Sequence, residues 1–299
     1  MNDFNDLFAT KQETEEKRTY RPNTKDDWKQ KKQQERTETF AMLNDATADI
    51  AKDSGSFRAY LDVQSRFDRY SVGNAILISH QMPDATRLAD FSSWKENGVS
   101  ILKGEKAISI LEPGNDYVRH DGTTGFSVNV KKVFDVSQTT AADKPEERRM
   151  PSERDTIKAL FSASPVEIRM TEDCNERFSA GYSKGDDAIY IRKGMENKDI
   201  FASLSMEIAN AKLSREGFEP EKTAFVSYCA AYMLCSRSGF DTKSFNFDDA
   251  PHKLEGMSEK EVRNLLGIVR ETANDIGQDM SRELEAMDKA RRRADRDAR

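Results

Sequence analysis

The stretch Tyr70-Ser71-Val72-Gly73-Asn74-Ala75-Ile76-Leu77-Ile78-Ser79-His80-Gln81-Met82-Pro83-Asp84-Ala85-Thr86 decides how the first half of the chain is read. Its apolar centre predicts a helix over Asn74 to His80, and Pro83 forces that helix to stop. Working backwards, Phe57, Tyr60, Leu61, Val63, Phe67 and Tyr70 recur at helical spacing and predict a preceding helix. Before it, Phe40, Leu43, Ala46, Ile50 and Ala51 predict another, with Thr24, Asp26 and Asp27 suited to its start and Gly55 breaking the run. Residues 1–23 are rich in charge and poor in apolar side chains, and are expected to be disordered.

Working forwards, the period changes after Gly98. Ala107 to Leu111 and Ser127 to Phe134 read as strands, with Ile108, Ile110, Val128, Val130 and Val133 as their apolar face. The intervening stretch, Pro113 to Gly125, is rich in turn residues. Residues 139–151 are polar, charged and end on a proline, which is the composition of a linker. The domains expected are therefore 24–138 and 152–281, followed by a charged helical tail over 282–299.

The second half opens with a helix over Ser152 to Phe161, then short strands at Val166 to Met170 and Ala188 to Ile191. Helices follow over Lys198 to Ser214 and Pro220 to Arg237, and an irregular segment holds Phe245, Phe247 and Pro251. The last helix starts near Ser258, where Ser258 and Glu261 form a capping-box pattern. Beyond Arg282 it is almost entirely charged, which reads as a solvated, fraying end.

Composition narrows the function classes. The chain has 299 residues, 33% charged, and a formal net charge of −6. Any nucleic-acid site must then be a local patch and not a property of the whole surface. Residues 41–140 carry 11 Lys+Arg against 13 Asp+Glu, a net of −2, so the first half is no exception. Cys174, Cys229 and Cys235 match no disulfide framework and read as buried thiols, which fits a reducing cytoplasm. No secretory signal or membrane span is expected.

Several spaced elements then agree in order: Tyr70-Ser71, Asn74, the Gln81-x-Pro83-Asp84-Ala85-Thr86 segment, Phe91, Trp94, Gly98, Lys103-Gly104-Glu105-Lys106 and Val133-Phe134-Asp135-Val136-Ser137-Gln138. Together they resemble the N-terminal domain of ArdC antirestriction proteins. The resemblance implies binding of single-stranded DNA, in proteins typically encoded by plasmids and other mobile elements. Such binding uses cations along the phosphates and flat side chains under the bases. Arg66, Arg69, Arg87, Lys95, Lys103, Lys106, Lys131 and Lys132 supply the cations, and Tyr70, Phe91 and Trp94 the flat surfaces. Asn74 completes the candidate nucleic-acid set. Each has a plainer alternative. Phe91 and Trp94 also suit a core, Asn74 a bridged turn, and Lys103 with Lys106 a solvated hairpin edge.

The second half is similar to the peptidase-like domain of the same family. Gly181-Tyr182, Ala188 to Ile191 and Gly194-Met195 precede a helix in which Ser205-Met206-Glu207-Ile208-Ala209-Asn210-Ala211 aligns with H-E-I-A-H-A. In HExxH two imidazoles four residues apart share a helix face and converge on zinc, and the glutamate activates water. Here Met206 and Asn210 stand at the histidine positions, and the resemblance puts Tyr228 at the third ligand. Only Glu207 keeps its type. The resemblance thus implies a zincin-like domain without catalytic residues, metal or cofactor.

The fold class expected is α+β: a helical domain with a small antiparallel sheet, then a zincin-like α+β domain with a long C-terminal helix. The expected function is single-stranded DNA binding of the antirestriction type, with an inactive metallopeptidase-like half. The alternative is an interaction module that binds a host restriction or regulatory protein through that half.

Overall fold

The structure is a computed structural model that describes residues 25–118, 123–142, 150–172 and 179–297. The expectations for residues 1–23, Thr24 and Cys174 lie outside them. The first half has three helices, α1 (Lys25–Lys52), α2 (Ser54–Arg66) and α3 (Val72–Gln81). The break between α1 and α2 falls at Asp53 and not at Gly55. The Asp53 carboxylate accepts the Ser56 N–H at 2.6 Å and so caps α2, leaving Gly55 inside its first turn. Ser71 caps α3 in the same way, its hydroxyl accepting the Asn74 N–H.

A three-stranded sheet follows, built from β1 (Leu88–Asp90), β2 (Ile108–Val118) and β3 (Thr124–Asp135), in the order β1-β3-β2 and antiparallel throughout. A short helix, α4 (Phe91–Glu96), leaves β1 directly, capped by Asp90. The strands β2 and β3 run further than expected, into the stretch read as turns. Pro113 and Gly114 are absorbed by a shift of register between Pro113 and Asp116, after which pairing resumes. A Cβ at 114 would lie 2.3 Å from the Ser127 hydroxyl and 2.8 Å from the Asn129 amide, so both side chains would have to move to admit one. The expected closing strand ends at Asp135, and Val136–Gln138 form a single 3-10 turn.

The second half contains α5 (Glu153–Ser162), then β4 (Glu167–Thr171), β5 (Ala180–Ser183) and β6 (Ala188–Arg192), in the order β4-β6-β5. The central strand β6 pairs parallel with β4 and antiparallel with β5. Two 19-residue helices follow, α6 (Asn197–Arg215) and α7 (Pro220–Ser238). Gly239 ends α7 in the left-handed region, at φ 76°. The segment expected to be irregular contains the short helix α8 (Ala250–Leu254). The last helix, α9 (Glu259–Asp297), has 39 residues, and Ser258 with Glu261 forms the expected reciprocal cap. The charged end stays helical to Asp297, and Arg291 is tied to Asp155 of α5 at 2.6 Å.

Both halves contribute to one continuous apolar core. Phe57 of α2 packs against Phe225 of α7 and against Phe247, with ring centroids 5.7 and 5.5 Å apart. Tyr232 of α7 donates its hydroxyl proton to Asp62 of α2. From α9, Arg270 donates to the Tyr70 carbonyl at 2.9 Å and Asn274 to the Asp68 carbonyl at 3.1 Å. The start of the segment read as a linker is packed: Thr139 and Ala141 are buried, and Thr139 pairs with Ile101 across a β-bridge. The expected α+β class, with small sheets and a long last helix, is the fold observed.

Candidate functional site

Each sheet exposes an edge strand, and a helix closes each edge with polar side chains. At the β2 edge, Asn74 of α3 donates Nδ2–H to the Leu111 carbonyl at 2.8 Å and accepts the Leu111 N–H at 2.8 Å. Two turns along the same helix face, Gln81 does the same to Ser109, at 2.9 Å in both directions. Alternate residues of an edge strand point their peptide groups outward, so Ser109 and Leu111 are served together. The two amides therefore stand in for a neighbouring strand and blunt the edge. The Asn74 side chain is thus a structural clamp and is committed to the backbone.

Asp135 and Gln138 fix the opposite side of this half. Asp135 is buried, and its carboxylate accepts the N–H groups of Thr86, Arg87 and Ser137 at 2.6, 2.8 and 2.9 Å. Burial alone would push this carboxyl up; the bonds from Ser137, Arg87 and Thr86 outweigh it and hold the group below its ordinary range. Gln138 donates to the Lys106 carbonyl at 2.8 Å and to Glu105 at 2.9 Å. This anchors the Lys103-Gly104-Glu105-Lys106 turn, in which Gly104 takes φ 95°. Lys103 and Lys106 project from it exposed.

The expected nucleic-acid residues separate into groups. Arg66, Arg69, Lys95, Lys103 and Lys106 are exposed. Lys131 is held by Asp90 at 2.9 Å and Glu112 at 3.6 Å, and the Asp90 hydrogen bond raises its pKa. The Ser93 N–H, with the Lys131 contact second to it, brings Asp90 down to about 2. Lys132 donates to the Ser109 hydroxyl at 2.8 Å. Tyr70 is half-buried, edge-on to Phe67. Trp94 is only 5% exposed and donates its indole N–H to the Phe134 carbonyl at 3.0 Å, so it is a packing residue and offers no open stacking face. Arg87 lies over its ring, 5.1 Å from the centroid. Phe91, on the same helix, is 57% exposed and is the open aromatic surface here.

In the second half, α6 and β5 repeat the edge-closing arrangement. Glu207 accepts the Tyr182 N–H at 2.9 Å and the Asn210 Nδ2–H at 3.0 Å. Burial raises its pKa, and the two bonds only partly offset this. Tyr228 accepts the Asn246 N–H at 2.7 Å, and its ring packs against Phe245 with centroids 5.0 Å apart. Met206 packs half-buried against the core. The thiols of Cys229 and Cys235 are fully buried, as expected, and burial pushes that of Cys235 up to about 12.

Two small sheets, each clasped at one edge by helix-borne polar side chains and joined through a shared helical core, define an α+β protein. Residues 30–158 match the family described as the N-terminal domain of the anti-restriction factor ArdC. This stretch of the chain is thus similar to the ArdC N-terminal domain. Two crystal structures of the antirestriction protein ArdC from the R388 plasmid share its fold. The metal-free one has a TM-score of 0.58 and 15% identity, over 81% of this chain and 98% of that one. The Mn(II)-bound one has a TM-score of 0.55 and 17% identity, over 80% and 98%. An uncharacterized protein of Bacillus anthracis is 23% identical over 292 residues, which cover 76% of this chain and 47% of that protein. The chain thus spans about half the length of this curated relative.

The Mn(II)-bound relative raises the question of a metal. The side chains at the three positions singled out from the sequence do not fit one. Met206 offers a neutral thioether, and the Asn210 amide and Tyr228 hydroxyl are engaged by Glu207 and Asn246. Among the described residues no group of three or more His, Cys, Asp or Glu is placed to hold a metal ion. Nor is any described helix long and apolar enough to cross a membrane.

Proposed function

We propose that the protein binds single-stranded DNA as an antirestriction factor of a mobile element, and that its second half is a zincin-like, catalytically silent scaffold. The observation that carries the first part is the ArdC N-terminal domain over residues 30–158, with Lys103 and Lys106 presented on an anchored turn. A turn held from behind by Gln138 can meet phosphates with two cations and with exposed backbone N–H groups. Lys95 and Phe91, exposed on α4, add a cation and a stacking face.

The second part rests on how Glu207 is used. In a working metallopeptidase helix this glutamate would face a metal-bound water. Here its carboxylate is turned to the β5 backbone and to Asn210. A buried acid that closes a sheet edge supports a scaffold role. Titrating a labelled single-stranded oligonucleotide with the protein at rising salt tests the reading. Binding that weakens steeply with salt is expected, because phosphate contacts release counterions. Absence of binding at low salt overturns it.

A further inference from the structure

A cleft of about 900 Å³ opens between the two halves. Its walls are the end of α2, the segment before β1, the last turns of α7 and the middle of α9, together with Val136, Ala142, Met150, Pro151 and Thr156 of α5. Among the described residues that line it, the charged side chains are Arg66, Arg87 and Arg237, with Asp68 the one acid. That excess of positive charge sits in a chain whose net charge is −6. Cations gathered in a concave, partly desolvated site concentrate the field and draw anions.

Arg237 is the most telling of the three. It comes from an otherwise apolar face of α7 and is largely withdrawn from water. Its Nε donates to the Ser65 carbonyl at 3.2 Å, which leaves the positive charge without a carboxylate in salt-bridge contact. Burial accordingly lowers its pKa to about 10, while the more distant Asp68 works against the shift. A partly buried cation held only by carbonyls is favoured when an anion completes the site. Ser236, Gln278 and Ser281 also line the cleft, as do the apolar Leu234 of α7 and Met280 and Leu284 of α9. Cations and apolar side chains lining one cleft suit a ligand that carries both a phosphate and a sugar and base. The volume falls in the range of ordinary small-ligand sites, roughly 300–1,000 Å³.

We infer that this cleft takes a nucleotide unit of the bound strand, with its phosphate on Arg66, Arg87 and Arg237 and its base against the α9 wall. The inference rests on the single-strand reading above and extends it, because it makes the second half part of the binding surface. The strand would run from the first-half turn to the junction of the halves.

The test uses the full chain, a labelled thymidine 15-mer as probe, and two variants that place a negative charge in the cleft from opposite walls. Arg66→Glu acts from α2 and Ser281→Asp from α9; both positions are exposed, and circular dichroism and melting check that each variant folds. Each is expected to weaken binding at least about fivefold at low salt and to flatten its salt dependence, as expected when a phosphate contact is lost. If the wild-type chain binds and both folded variants bind as tightly, the cleft is not used and this inference falls, while the single-strand reading stands. If the wild-type chain does not bind at low salt, the single-strand reading fails and the cleft assignment fails with it.

Discussion

Asn74 and Leu111 are joined by two hydrogen bonds of 2.8 Å, one in each direction, although 37 residues separate them in sequence. A helix side chain here does what a fourth strand would do for the sheet. Gln81 repeats the contact at Ser109, so α3 is fastened to β2 along its length.

Asn74→Ala removes one clamp and leaves a partly buried N–H and carbonyl without partners. Each such group costs roughly 1–3 kcal/mol when it is fully buried. The expected loss is about 1–3 kcal/mol in urea unfolding for this half-buried pair. Asn74→Asp keeps the acceptor and loses the donor, and should fall between alanine and wild type. Equal stability of all three proteins would show that the clamp is incidental.

Glu207 gives a pH signature. Its carboxyl binds a proton more readily in the folded chain, because burial raises its pKa. With a raised folded value, its contribution is fully present below the unfolded carboxylate range and is lost as pH rises through the folded value. Glu207→Gln removes that titration and retains an acceptor for Tyr182 and Asn210. Relative to wild type, the variant should gain stability between about pH 4.5 and neutrality. Melting curves across that range are the readout. A difference that does not change with pH would refute the assignment.

The end of α9 is tethered by Arg291 to Asp155 at 2.6 Å. The Arg291 guanidinium is exposed, and Asp155, though largely buried, keeps its hydrogen bond from the Ser152 hydroxyl, so global stability should change little in Arg291→Ala. Local fraying is the expected consequence. Amide hydrogen exchange should accelerate in the last turns of α9 and at the start of α5, with the centre of α9 unaffected. Unchanged protection of those turns would mean that the contact holds nothing in place.

Lys103→Glu combined with Lys106→Glu reverses the charge of the anchored turn without touching Gln138. Single-strand affinity should drop, and the logarithmic salt slope should shrink by roughly 1–2 as the phosphate contacts go. The fold should persist, since both side chains are exposed. Wild-type affinity in this double variant would remove the turn from the interface.

Much of the fold was legible in the chain because its elements are strongly periodic. The boundaries of α6 and α7 come within a residue of those read from apolar spacing, and β4 and β6 fall where β-branched residues cluster. The short elements carried too little signal. β1 has three residues, α8 has five, and β5 contains Gly181. The extension of β2 and β3 was hidden because Pro113, Gly114 and their neighbours look like a turn, while the ladder absorbs them in a register shift.

The candidate site was legible only in part. Trp94 shared its helical spacing with exposed Phe91, and spacing alone could not say which of them faced inward. Asn74 and Gln81, seven residues apart, did lie on one helix face, a sign that both meet the same strand. Arg237 was missed, since a lone arginine after a long apolar run reads as the solvated end of a helix. It meets Arg66 and Arg87 only through tertiary packing, across 171 and 150 residues of sequence, and no local pattern encodes that meeting.

The most direct test of the central claim is fluorescence anisotropy of a labelled single strand against the full chain, with a duplex control and with excess metal chelator in parallel. Salt-sensitive binding that favours the single strand and is undiminished by the chelator is expected. Binding that prefers duplex, or that vanishes when metal is removed, would contradict that claim.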